Sequence, residues 1–213
     1  MMLRNKSHIS FLKHVTRECR RYRITLILST SSTFSYGEQT YGGYFDNYRK
    51  ELGVTHKNNE HLFIPLLVHE FSHMEQWIDN DPSYTAHMRG GYESSTIMDR
   101  WLNGREYEYS TVKKAIDLLR DCELNCERRA ILNIRKYGLD IDEDEYCRTA
   151  NAYILFYNYI MRKRRWEYQE PVTAIQEIIS EMPSDLYSLD YTKMLPEHRV
   201  LYDTYLKKPL GSG

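Results

Sequence analysis

Between residues 5 and 21 the apolar side chains Ile9, Leu12, Val15 and Cys19 recur at helical spacing, the mark of a helix with one buried face. Residues 22–30, YRITLILST, change to a β-branched and aliphatic run that predicts a strand. Residues 31–60 are polar, with Gly37, Gly42 and Gly43. A partial alternation at Tyr44, Asp46 and Tyr48 and the run KELGVT at 50–55 predict short strands or a hairpin there. From about residue 62 the helical period dominates. The helix through LFIPLLVHEFSHMEQWID (62–79) should stop near DNDP, because Pro82 lacks an amide donor and disfavours helical geometry at Asp81.

Further on, a short helix is expected at 95–103, closed by Gly104. A long one over about 106–137 carries Val112, Ile116, Leu119, Cys126, Ala130 and Ile134 on its apolar stripe, with Gly138 just past its end. Acidic residues at 142–145 open another, running through ANAYILFYNYIMRKRRW. Pro171 and Pro196 stand where first-turn prolines are tolerated, ahead of VTAIQEIISEM and EHRVLYDTYL, while 82–95 reads as a loop. The expectation is an α+β, predominantly helical single domain over 1–210. Its β-containing lobe covers about 1–80 and its helical lobe about 81–210, with no linker-like break; the closing GSG of 211–213 reads as an appended tail.

Composition narrows the function classes. The 213 residues are 41% apolar and 13% aromatic, enough for one core. A net charge of -1 supplies no basic excess, so nucleic acid is not an expected partner. The basic runs RECRRYR at 17–23 and RKRR at 162–165 read as solvated helix ends. No apolar run reaches the roughly 18 residues of a membrane span, and the first residues lack a secretory h-region. Cys19, Cys122, Cys126 and Cys147 form no Cys-x-x-Cys pair and read as reduced packing residues. The expected location is the cytoplasm, or the inside of a host cell.

The chemistry sits in the 62–79 stretch, where His69, Glu70 and His73 form His-Glu-x-x-His. Residues four apart on a helix are separated by about 6 Å of rise and about 40° of rotation, so both imidazoles reach one ion. Neutral imidazole and carboxylate donors favour Zn2+. Glu70, beside the ion, could take a proton from the attacking water and pass it to a leaving amine. The uncharged Leu66, Leu67, Val68, Phe71 and Ser72 suit a helix buried in a cleft; Glu75 is the departure.

A catalytic zinc needs a third protein ligand. Asp79, ten residues after His69, would require a turn at Gln76 and otherwise points away. Glu123, in LLRDCELNCERRAIL, falls on the apolar stripe between Leu119 and Cys126, where a carboxylate is costly unless paired or bound to metal. Glu127, one turn later, is placed to hold the other nitrogen of a ligating histidine, or to be the ligand itself. The bland alternative pairs both acids with Arg120, Arg128 or Arg129 along a solvated face. Cys122 and Cys126 read as packing.

HEFSH followed by ELNCE resembles the gluzincin group of zincin metallopeptidases, and DCELNCERRA is similar to uncharacterised metallopeptidase-like proteins of bacteriophages. These motifs cover about a tenth of the chain. The resemblance implies a zincin fold, with strands ahead of the motif helix and an edge strand, within 41–55, along the substrate cleft. It also implies zinc held by His69, His73 and Glu123, support from Glu127, Glu70 as general base and acid, and a peptide or protein substrate. Tyr153, Tyr157, Tyr92 and His87 are undistinguished candidates for an oxyanion donor. Two rivals stand beside the peptidase: a zincin-shaped binding protein that cleaves nothing, and a helical structural protein with an accidental motif.

Overall fold

The computed structural model describes residues 3–31, 33–36, 39–56, 59–88, 93–166 and 171–206. The chain divides into two compact units, 1–81 with 126–142, and 82–125 with 143–213. Helices dominate both, and a small mixed sheet lies in the first, which makes the fold α+β and mostly helical.

In the first unit, α1 (Lys6–Arg21) starts at Asn5, whose side chain accepts from the Ser7 amide at 2.9 Å. His8, Phe11, Val15 and Cys19 form its buried face. Arg23, at φ 59°, closes it, with the Ile24 amide returning to the Cys19 carbonyl. β1 (Thr25–Ser29) pairs in parallel with β5 (Glu51–Thr55), and β4 (Gly43–Asp46) pairs antiparallel on the other side of β5. β2 (Phe34–Tyr36) and β3 (Gln39–Tyr41) form a separate antiparallel hairpin, so short strands do occupy the polar region. The β4–β5 turn is set by Asp46, whose carboxylate accepts from the Tyr48 and Arg49 amides, both at 2.9 Å.

α2 (Glu60–Ile78) packs on β4 and β5. Asn59 caps it, and Pro65 sits inside it, removing the bond that the carbonyl of exposed His61 would have accepted. The helix stops as expected near DNDP, but Asn80 does the stopping. It adopts φ 49°, and the Asp81 amide bonds back to the Gln76 carbonyl. Phe63, Ile64, Leu67, Val68, Phe71 and Met74 are buried in the core beside Leu52 and Val54 of β5. The second half of α5 (Tyr109–Tyr137) completes this unit with Cys126, Ala130, Ile131 and Ile134; Gly138 ends the helix at φ 56°.

Three segments meet at His8. Its Nδ1 lies 2.6 Å from Glu60 Oε1 at the start of α2, and its Nε2 accepts from the Asp140 amide at 3.2 Å. Accepting at Nε2 places the proton on Nδ1, which donates to Glu60. That bond, with burial opposing it and the amides of Arg4 and Asn5 adding to it, holds the Glu60 carboxyl below its ordinary value of 4.5. A depressed carboxyl stabilises the fold above that value and loses its contribution as pH falls through the folded pKa.

The second unit holds α3 (Pro82–His87), α4 (Glu93–Leu102), the first half of α5, α6 (Glu143–Lys163), α7 (Gln176–Ile179) and α8 (Pro196–Tyr205). Three expectations need correction here. The 82–95 loop contains α3, because Pro82 occupies a first helical position, where it is tolerated. The helix expected after Pro171 is only a 3-10 turn (Val172–Ala174) and the short α7, since Ile175 is extended between them and Arg148 captures the Ser180 and Met182 carbonyls. α6 ends at Lys163, before Trp166, with Arg164 at φ 52°. Asn151 of α6 donates to the Pro183 and Asp185 carbonyls, both at 2.8 Å, which pins the irregular 183–195 stretch. The basic run at 162–165 is met by acids: Arg162 and Lys163 reach Asp203, and Arg164 reaches Glu106. Among the described residues no helix is long and apolar enough to cross a membrane.

Replacing His8 by Ala should lower unfolding free energy in a urea titration by about 1–3 kcal/mol, because the Asp140 amide and Glu60 each lose a buried partner.

Candidate metal centre

α2 carries His69 and His73 one turn apart, with ring centroids 4.8 Å apart and planes at 90°. His69 Nδ1 lies 3.0 Å from Glu127 Oε1 on α5. His73 Nδ1 lies 2.8 Å from Gln76 Oε1, and Gln76 is wholly buried. An oxygen acceptor at Nδ1 selects the tautomer with its proton there, and the lone pair is then on Nε2 of both rings. A carboxylate behind one imidazole and an amide oxygen behind the other is how proteins orient histidines that ligate a metal.

Cys126 is next to this pair. Its thiol donates to the His69 carbonyl at 3.3 Å and its sulfur is 3.8 Å from His69 Nδ1. One donor atom each of His69, His73 and Cys126 lie within 4.8 Å of one another. The sulfur is near the nitrogen that Glu127 already engages, so a metal shared by Cys126 and His69 Nδ1 would displace that carboxylate. The thiol therefore fits a supporting role better than a ligand's. Burial opposes protonation of His69, but Cys126 and Glu127 outweigh it and hold the imidazole pKa well above its ordinary value, so a metal ion binding at Nε2 has to displace a proton from it.

Glu70 is 6% exposed and leans on β4. Its side chain fills the space beside Gly43, where a Cβ would stand 2.8 Å from both its Cγ and its Oε1. Among the described residues β4 is the edge of its sheet. The Thr55 amide donates to the Gly42 carbonyl at 2.8 Å, so residues 42, 44 and 46 bond toward β5, and the backbone groups of Gly43 and Phe45 face the outer edge.

The remaining expected residues fall as follows. Glu123 is half-buried on α5, one turn before Glu127, in the part of the helix belonging to the second unit. There it stands near Tyr157, whose phenol is pushed well above its ordinary pKa by burial, then by Tyr153 and Glu123. The Tyr153 and Tyr157 hydroxyls are 3.2 Å apart. Asp79 is exposed at the end of α2 and bound by Arg129 at 2.6 Å, which also holds Asp81. His87 ends α3 rather than lying in a loop, its ring beside Tyr84, and Tyr92 lies outside the described residues.

Two participants escape a reading of the motif alone. Gln76 enters that reading only as a residue that is not glycine, although its spacing from His73, one turn along the helix, is a usable signal. Asn133 donates to the Glu75 carboxylate at 2.6 Å and so explains the charged residue in this apolar helix, but it leaves no local trace in the sequence. No family model, curated protein or solved structure matches the chain.

For a zinc ion held on these imidazoles, Glu127→Ala should weaken binding about 10–100-fold in competition with a chromophoric chelator, while Cys126→Ala should leave the stoichiometry unchanged.

Proposed function

We propose that the chain is a zinc-dependent peptidase of gluzincin type. The observation that carries the reading is the bond from Glu127 to His69 Nδ1, which supports an imidazole whose neighbour, His73, is held in the same way by Gln76. Any buried histidine needs a hydrogen-bond partner; what suits a ligating pair is that two rings one turn apart both have an oxygen acceptor at the same nitrogen, Nδ1.

His69 and His73 would hold the ion, and the third protein ligand we assign is Glu123. Glu123 precedes Glu127 by one turn of the same helix, so the two carboxylates share a face, about 6 Å apart along the axis. Zinc would supply Lewis acidity toward a peptide carbonyl and toward water. Glu70 would accept the proton of the attacking water on its carboxylate, then deliver it to the departing amine nitrogen. The outward backbone groups of Gly43 would pair with an extended peptide, on the strand against which Glu70 rests. That juxtaposition supports a peptide as the substrate class.

Cys126 favours one rival, because a zinc that also recruited its sulfur would be closed by protein donors and have no catalytic position. Such a protein would bind partners without cleaving them.

Both readings meet in one experiment on protein purified without chelator. The peptidase should bind one zinc and cleave members of a quenched-fluorescent peptide mixture, losing activity to a chelator and regaining it with zinc. Glu70→Gln should keep its zinc and lose about 10²–10⁴-fold in kcat. Cleavage by that variant at the wild-type rate overturns the mechanism. One tightly held zinc with no cleavage supports the closed site, and no zinc at all leaves an accidental motif.

A further inference from the structure

We infer that Gly43 is a positioning residue for Glu70: the missing side chain at 43 is the space in which the Glu70 carboxylate is held. This rests on the peptidase reading for its catalytic consequence, though not for the contact itself.

A Cβ built at Gly43 meets Glu70 Cγ and Oε1 at 2.8 Å and Cδ at 3.1 Å. Contacts under 3.0 Å are not tolerated by real Cβ atoms, and Cγ is too near the backbone to swing clear as a chain tip would. The neighbouring positions differ. At Gly42 the nearest atom is a terminal methyl of Leu66 at 3.2 Å, and at Gly53 the space is taken by the Tyr44 ring, on the sheet face away from α2. Only Gly43, among the described glycines, meets a carboxylate.

Two elements fix this closeness. β4 is tied to β5 on both sides of the position, by the register Gly43↔Val54 and Tyr44↔Gly53 and by the Thr55 amide on the Gly42 carbonyl. Phe45, two residues on and facing the same way, packs against Trp77 of α2 with centroids 5.9 Å apart. The strand therefore cannot lift from the helix at 43 without breaking contacts at 45. Glu70, in turn, is almost wholly buried, so its carboxylate has little room to choose another rotamer. The backbone at 43 acts as a wall that sets the direction of the Glu70 carboxylate, and its own N–H and C=O face the outer edge of the sheet. An extended peptide that pairs with Gly43 is thereby registered against the general base.

The test is a double-mutant cycle of Gly43→Ala and Glu70→Ala, with kinetics on Gly43→Ala alone. Gly43→Ala should lower the thermal unfolding midpoint by about 5 °C in the native background and by less than about 2 °C in the Glu70→Ala background, where Cγ, Cδ and Oε1 are gone. If Gly43→Ala alone does not fold, recovery of folded protein in the double variant supports the contact, and failure of the double variant to fold overturns it. In the zinc-loaded enzyme, with the peptide the wild type cleaves fastest, Gly43→Ala should reduce kcat about 10–100-fold at unchanged zinc content, with KM within about 3-fold. Equal loss of stability in both backgrounds overturns the contact; an unchanged kcat overturns the positioning role. A wild type that cleaves nothing refutes the peptidase reading instead, and the stability cycle still decides whether Glu70 fills the space at Gly43.

Discussion

A buried helix that carries polar side chains has to find a partner for each of them, and α2 solves this largely with one neighbour. An unsatisfied polar group in such a place costs about 1–3 kcal/mol, so several together would outweigh the stability of an ordinary domain. α5 presents Glu127 to His69, Asn133 to Glu75, and Arg129 to Asp79 and Asp81, with the Cys126 thiol on the His69 carbonyl. These bonds extend from the imidazoles to the carboxy-terminal end of the site helix. The apolar contacts around them, Phe71 against Phe11 and Cys19 against Met74, exclude water and so strengthen each one.

The side of α2 turned to the sheet obeys a different rule. There the helix meets backbone rather than side chains, and fit depends on what β4 lacks. Small residues at 42 and 43 let Leu66 and Glu70 come down on the strand, whereas Phe45 restores a full aromatic contact with Trp77. Polar satisfaction on one side and close approach on the other together determine where the imidazoles and the carboxylate can be.

Periodicity makes the helices readable, and the motif makes His69, Glu70 and His73 readable, because each depends on residues near in sequence. Helix ends are partly legible: Gly104 and Gly138 stop their helices in the left-handed region, but Asn80, Arg23 and Arg164 do so without glycine's advertisement. The expectation that Glu127 meets a motif histidine comes from its local spacing, and the structure has its carboxylate 3.0 Å from His69 Nδ1. What stays hidden depends on distant partners. Glu75 looks like a defect until Asn133 satisfies it, and the segment after Pro171 looks helical because nothing local reveals the grip of Arg148 on its carbonyls. The assignment of Glu123 rests on helix geometry and belongs to the proposal.

The first unit is discontinuous in sequence, and His8 bonds to the amide of Asp140, 132 positions away. During vectorial synthesis at roughly 5–20 residues per second, several seconds pass between the emergence of Asp81 and that of Asp142. For most of that interval the nascent α2 lacks the second half of α5, whose Glu127, Arg129 and Asn133 meet its imidazole and the carboxylates at its end. A closure of this range is expected to slow folding, because the loop-closure entropy is spent before the polar partners of the site helix have arrived.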